Sequence, residues 1–265
     1  MKTLYSIYES LLDSNDDLMK HSEEQLTKYG MIDLVKRWRP DMHERHIKFN
    51  NGRIDMDSVL ISHEKPTIPD GIKLGEVNWF NIKDADEVWK QTDQLPIHCR
   101  TIFINHSNVK DVKLSCNFLH IENYSTVKNV EMTFTNVMGL RKNVCELIWP
   151  CVSNTKEFEE LKLNLRDTKL DINLTNSNLA NVLIKKVKRD INTWRNKNSS
   201  YTEDDLHAQI IQSVRNHFPL DNLDKNVHAI YFKTHDMSDY QVKPGGFYIY
   251  KYDEDWYVEQ KMFII

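Results

Sequence analysis

Residues 109–137 carry the pattern that most constrains this chain. Val109-x-x-Val112-x-Leu114-x-x-Asn117-x-Leu119 is followed by a looser echo, Val127-x-x-Val130-x-Met132-x-x-x-Asn136-Val137. Val109 and Val127 stand 18 residues apart, as do Val112 and Val130. Apolar residues at matching offsets in a fixed period are what a solenoid needs, because each unit buries its apolar edge only by stacking on the next. Short apolar pairs extend the pattern to both sides: Val59/Ile61, Ile72/Leu74, Val77/Trp79, Ile102/Ile104, Leu119/Ile121, Leu161/Leu163, Leu170/Ile172 and Val182/Ile184. Polar Asn, Asp, Ser and Thr fill the gaps, as turns require. The competing reading is an antiparallel meander, since two-residue alternation at this spacing also suits a sandwich or barrel. The shared register of the two best repeats, and the lack of glycine hairpin signals between 81 and 138, favour the solenoid.

The flanks read differently. Leu4, Ile7, Tyr8, Leu11 and Leu12 make residues 3–12 a short amphipathic helix. A second helix over 16–28 is closed by Gly30, and a third over 31–38 stops before Pro40. Asn51-Gly52, between alternating runs, predicts a tight hairpin at 46–56. Residues 82–94 suit a short helical insertion. Val182, Leu183, Ile184, Val187, Ile191 and Trp194 form one helix face, and Thr202 with Asp205 opens another helix through a capping-box pattern. Strands follow at Val227–Lys233, Phe247–Tyr252 and Trp256–Ile264, with Gly245-Gly246 read as a turn and Asp253-Glu254-Asp255 joining the last two. The expected fold is α+β: an irregular β-solenoid over 46–185, an N-terminal helical segment over 1–45, and a helix-plus-antiparallel-sheet cap over 186–265.

Composition narrows the class. The chain has 265 residues, 40% of them apolar, and a net charge of −4, enough to bury a sizeable core. No run of 18 apolar residues suggests a membrane span, and the first residues lack the continuous apolar stretch of a secretory signal. Cytoplasmic residence is therefore expected. Cys99, Cys116, Cys145 and Cys151 form no C-x-x-C pair. Cys99 and Cys116 are 17 residues apart, close to one repeat, and reduced buried thiols are favoured over a disulfide.

Two resemblances accompany these readings. Val109-Lys-Asp-Val-Lys-Leu-Ser-Cys-Asn-Phe-Leu119 resembles the core of a leucine-rich repeat, with Asn117 at its asparagine position. The lead-in Asn51–Ser62 and the stretch Ile68–Val77 look like the opening of degenerate leucine-rich-repeat proteins of large tailed phages and gut bacteria. That resemblance covers residues 50–185, about half the chain. Met1-Lys2-Thr3-Leu4-Tyr5-Ser6-Ile7-Tyr8-Glu9 resembles the capsid-targeting leader of internal head proteins of such phages, with Ile7-Tyr8-Glu9 at the processing site; the alternative is a docking helix. The resemblances imply a virion-associated or structural protein, located in the host cell or the virion interior.

Sites with chemistry are sparse. His43-Glu44-Arg45-His46 is one residue short of H-E-x-x-H, and His98-Cys99 is a partial ligand pair. No G-x-S-x-G, Walker loop or G-x-G-x-x-G occurs, and no catalytic, metal or cofactor site is assigned. Glu159/Glu160 and Asp204/Asp205 sit where helix starts and turns want acids. Lys185, Lys186, Lys188 and Arg189 make a basic stretch, read either as a patch for nucleic acid or an acidic partner, or as a solvated helix face. Tyr248, Tyr250 and Trp256 belong to an aromatic cluster that is either core or an exposed interface anchor. The function expected is a non-enzymatic protein-interaction or structural scaffold, with a protein partner before nucleic acid and no membrane. Its alternative is an enzyme in the C-terminal module using His207, His228 and His235.

Overall fold

A computed structural model describes residues 16–64, 67–85, 92–136, 144–236 and 243–259. The helix expected at 3–12 lies outside them.

Helix α1 spans Asp16–Trp38 without a break at Gly30, so the two helices expected there are one. Glycine in a helix costs about 1 kcal/mol against alanine. Burial of Met31, Ile32, Val35 and Trp38 just beyond it offsets that cost. The hairpin of β1 (Ile47–Asn50) and β2 (Arg53–Ser62) forms as expected, with Asn50 opposite Arg53. Both turn residues have positive φ, 48° at Asn51 and 71° at Gly52, the geometry that an Asn-Gly turn accepts.

From β2 to β12 the sheet is parallel. β3 (Leu74–Lys83), β4 (His98–Asn105) and β6 (Lys113–Glu122) follow in order, each beside the last. β8 (Val130–Phe134) lies along the first half of β6, and β9 (Val144–Ile148) along its second half. After a short helix, α2 (Thr155–Glu159), the next pair repeats the split: β10 (Leu161–Asn164) pairs β8, and β11 (Lys169–Asn173) pairs β9. Strands 112–114 and 130–132 are therefore parallel neighbours, with Leu114 opposite Met132, and not a hairpin.

A second, two-stranded parallel sheet, β5 (Asn108–Lys110) with β7 (Thr126–Lys128), pairs Val109 with Val127. Between 105 and 129 the 18-residue offset is physical. Asn123 donates to Asn105, the Ser107 amide donates to Ser125, Thr126 donates to Asn108, and Asn129 donates to Asp111, each across 18 residues. Backbone strain repeats with it: His106 and Tyr124 have φ of 47° and 60°, Asp111 and Asn129 of 55° and 51°.

One face of the sheet is core. Val59, Phe80, Ile102, Leu119, Leu147, Ile172, Ile230, Ile249 and Val258 lie side by side across nine strands, all buried. Each such side chain contributes about 1.5–3 kcal/mol when fully buried. Alternation is broken by one three-residue step at the same height in successive strands: Met56 to Val59, Val77 to Phe80, Cys99 to Ile102, Cys116 to Leu119. It is at this height that the chain leaves the sheet between β8 and β9.

The C-terminal part is a crossover. β11 leads through α3 (Asn178–Lys197) and α4 (Glu203–His217) to β12 (Val227–Asp236), its parallel neighbour. Helix α3 runs across residues 185 and 186, and the sheet continues into β13 (Lys243–Tyr252) and β14 (Asp255–Glu259), both antiparallel. The Thr202–Asp205 capping box forms as expected. Asp190 fastens the two helices, accepting from the Ser213 hydroxyl at 2.8 Å and contacting His217 Nε2 at 2.8 Å. Gly245 and Gly246 are not a turn. They lie in β13 opposite Thr234 and Lys233, where a Cβ on Gly246 would sit 2.1 Å from the Phe232 carbonyl. Of the insertion expected at 82–94, residues 82 and 83 close β3, 92–94 form a single 3-10 turn, and 86–91 lie outside the described residues.

Candidate functional site

The face of the sheet opposite the core is the most distinctive surface. Leu60, Asn81, Phe103, His120, Ile148, Asn173, Tyr231, Tyr248 and Glu259 occupy one register line across it, because strand neighbours alternate faces. Aromatic rings run along and beside this line. Trp79 stacks on Phe103 at 5.8 Å, and Phe103 meets His120 at 4.7 Å. Further along, Tyr231, Tyr248, Tyr250 and Tyr257 stack in succession at 4.5, 5.5 and 5.9 Å. Trp79 is 45% exposed and Tyr257 43%, so the face is open to solvent at both ends.

Acids gather in the middle. Glu146 and Asp171 are register partners on β9 and β11. His228 Nδ1 lies 3.1 Å from Asp171 Oδ1. Partial burial, and then the Asp171 carboxylate, push the Glu146 carboxyl above the usual range. Partial burial raises the Tyr231 and Tyr248 hydroxyls, and the nearby carboxylates of Asp171 and Glu259 add to it. The patch therefore concentrates negative potential beside tyrosine rings.

A second cluster is buried. His98 bonds Ser115 through Nδ1 at 3.0 Å and Asn117 through Nε2 at 3.0 Å, and Asn117 donates onward to the Thr135 carbonyl at 2.8 Å. Asn117 occupies the extra position where alternation breaks, so its amide reaches groups the strands leave over. Burial pushes the His98 pKa down, keeping the ring neutral. Cys99 turns to the other side of β4, opposite Cys116, so the pair His98-Cys99 does not converge on one ligand. Cys99, Cys116 and Cys145 are free and buried. Burial raises all three thiols, Cys145 to about 11, which leaves them protonated and poor nucleophiles.

The residues singled out by sequence divide clearly. Tyr248 and Tyr250 lie on the open face. Trp256 does not: it is 9% exposed, on the helix-facing side, with Lys251 Nζ 5.2 Å above its ring. Tyr257, one residue on, takes the exposed place, because successive strand residues point to opposite faces. Lys185, Lys186, Lys188 and Arg189 are exposed along α3, around the buried Leu183 and Val187. His228 is on the open face, whereas His207 lies on α4, which packs against β14 from the other side, 3.8 Å from Glu203. These two histidines do not share a site, and the His235 side chain is outside the description. His46 contacts Asp57 and lies 6.3 Å from the His43 ring. Among the described residues no group of three His, Cys, Asp or Glu could hold a metal, and no helix is long and apolar enough to cross a membrane.

Sequence reasoning missed Phe103, His120, Glu146, Asp171 and Tyr231 as one surface. Each occupies an outward position of an alternating strand. The strand-to-strand offsets of 17, 18, 28 and 25 residues hide which outward positions meet. No protein-family model, curated protein or solved structure gives a significant match to this chain.

Proposed function

We propose that this protein is a non-enzymatic interaction scaffold, an irregular leucine-rich-repeat-like solenoid that presents the open face of its sheet to a protein partner. One observation carries the reading: aromatic rings on the uncovered face run from Trp79 on β3 to Tyr257 on β14. Aromatic side chains on a rigid surface are what interfaces use as anchors. The solenoid reading is supported by the 18-residue ladders between Asn105 and Asn129. The resemblances at residues 1–9 and 50–185 support a virion-associated role, within a phage head or its host cell. Intact mass of the protein from its native particle tests that role: a chain beginning at Ser10 supports it, and a full-length chain opposes it.

The scaffold reading is tested by placing a photo-crosslinking residue at Asn81, on the open face, and separately at Lys186, on α3, in the native host. Partner adducts are expected from position 81 and not from 186. Adducts from 186 alone would assign the function to the basic helix, the reading in which an acidic partner or nucleic acid binds Lys185, Lys186, Lys188 and Arg189.

A further inference from the structure

The geometry points to a partner of defined charge: we propose that the tyrosine-walled acidic part of the open face, from β9 to β14, docks a lysine- or arginine-bearing segment of another protein. The inference rests on the reading of that face as the interaction surface, and adds what the surface selects.

Three observations carry it. Glu146 and Asp171 stand side by side on adjacent parallel strands, with no lysine or arginine paired to either among the described residues; the Asp171 carboxylate is met by the His228 ring. Two carboxylates at this spacing repel, and a cation between them relieves that repulsion while the half-buried setting strengthens the attraction. Tyr231 and Tyr248 then wall the same spot, stacked at 4.5 Å, with their hydroxyls close enough to the carboxylates to feel their charge. Tyrosine rings attract ammonium and guanidinium groups through the negative potential of the ring face, and arginine stacks on them. Finally, the lysines of the same strands stand away from the centre. Lys169 and Lys233 are exposed two residues beyond Asp171 and Tyr231, at opposite margins of the face. A basic segment crossing the strands thus meets acids and rings in the middle and, among the described residues, no resident lysine or arginine. The same potential disfavours phosphate, so nucleic acid is not the occupant of this face.

The experiment uses the full chain and three labelled twelve-residue peptides: one rich in Lys and Arg, one rich in Glu, and one of Ser and Gly, read by fluorescence anisotropy. The basic peptide is expected to bind and the other two not. Affinity should fall at least tenfold in Glu146→Gln/Asp171→Asn and in Tyr248→Leu, which keeps the packing but removes ring and hydroxyl. Glu203→Gln, on α4, should leave binding unchanged, and thermal melting checks that every variant folds. Equal binding of the basic peptide to wild type and Glu146→Gln/Asp171→Asn would overturn the proposal. So would adducts from position 81 that the basic peptide does not compete away; in that case the scaffold reading stands and the basic specificity falls. Concentration-dependent self-association, lost both in Glu146→Gln/Asp171→Asn and on charge reversal of Lys185 and Lys186, would make the occupant a second copy and also overturn it.

Discussion

At the scale of single residues, the fully buried positions of the parallel strands are the sensitive ones. Val130 is fully buried and lies opposite Leu161 on β10. Val130→Asp would bury a carboxylate with no partner, at a cost of several kcal/mol, comparable to the whole stability of many domains. Loss of the cooperative thermal transition is expected, and an unchanged melt would contradict the packing described. His98 gives a pH signature. Its pKa is depressed in the folded state by burial, while the unfolded chain titrates near the ordinary value of about 6.5. As pH falls through that value the unfolded state takes up a proton that the folded state refuses, so stability drops on the acid side. Denaturant titrations at pH 7.5 and 5 should therefore show a loss that is smaller in His98→Gln, which keeps a polar side chain beside Ser115 and Asn117. An equal loss in both proteins would assign the acid sensitivity elsewhere.

At the scale of elements, the turns decide. Asn129 sits at φ 51°, bonded to Asp111 and receiving Lys162 Nζ at 3.1 Å. Asn129→Gly and Asn129→Val both lose those bonds, but only valine must force a β-branched residue into left-handed backbone. The valine variant should be the less stable by about 1–2 kcal/mol in urea denaturation. For α4, Thr202→Ala removes the hydroxyl that accepts from the Asp205 amide at 3.1 Å, and should cost about 1 kcal/mol in the same measurement. These local features were readable in the sequence because their causes are local: Asn51-Gly52 encodes its own turn, and Thr202 with Asp205 its own cap. The pair Val112/Val130 was readable because nothing interrupts the chain between the two turns. Where a cause is tertiary, the sequence misled. Gly30 reads as a stop until the burial of Met31 and Ile32 carries the helix through it. Gly245-Gly246 reads as a turn until both are seen paired in β13, with the Phe232 carbonyl leaving no room for a side chain at Gly246.

At the scale of the whole molecule, the open face is a product of register. Glu146 and Asp171 meet because a rung of the sheet is split between β8 and β9 and then again between β10 and β11. No alternation within a single strand encodes that meeting, which is why Tyr248 and Tyr250 stand out in the sequence as aromatic anchors while Glu146 and Asp171 do not stand out at all. The basic helix α3 packs against β12 and β13 from the side opposite the open face.

Everything proposed for the open face depends on parallel stacking of the turns, and paired cysteines test it directly. Lys113 lies opposite Glu131, and Ser115 opposite Thr133. Adjacent strands bring such partners within disulfide reach. An antiparallel ladder that also matched 113 with 131 would set 115 against 129, leaving 133 four residues, about 13 Å, away along the strand. Lys113→Cys/Glu131→Cys and Ser115→Cys/Thr133→Cys, oxidised separately and read on non-reducing gels, should both crosslink within the monomer. Crosslinking of one pair without the other would contradict the parallel register and the open face built on it.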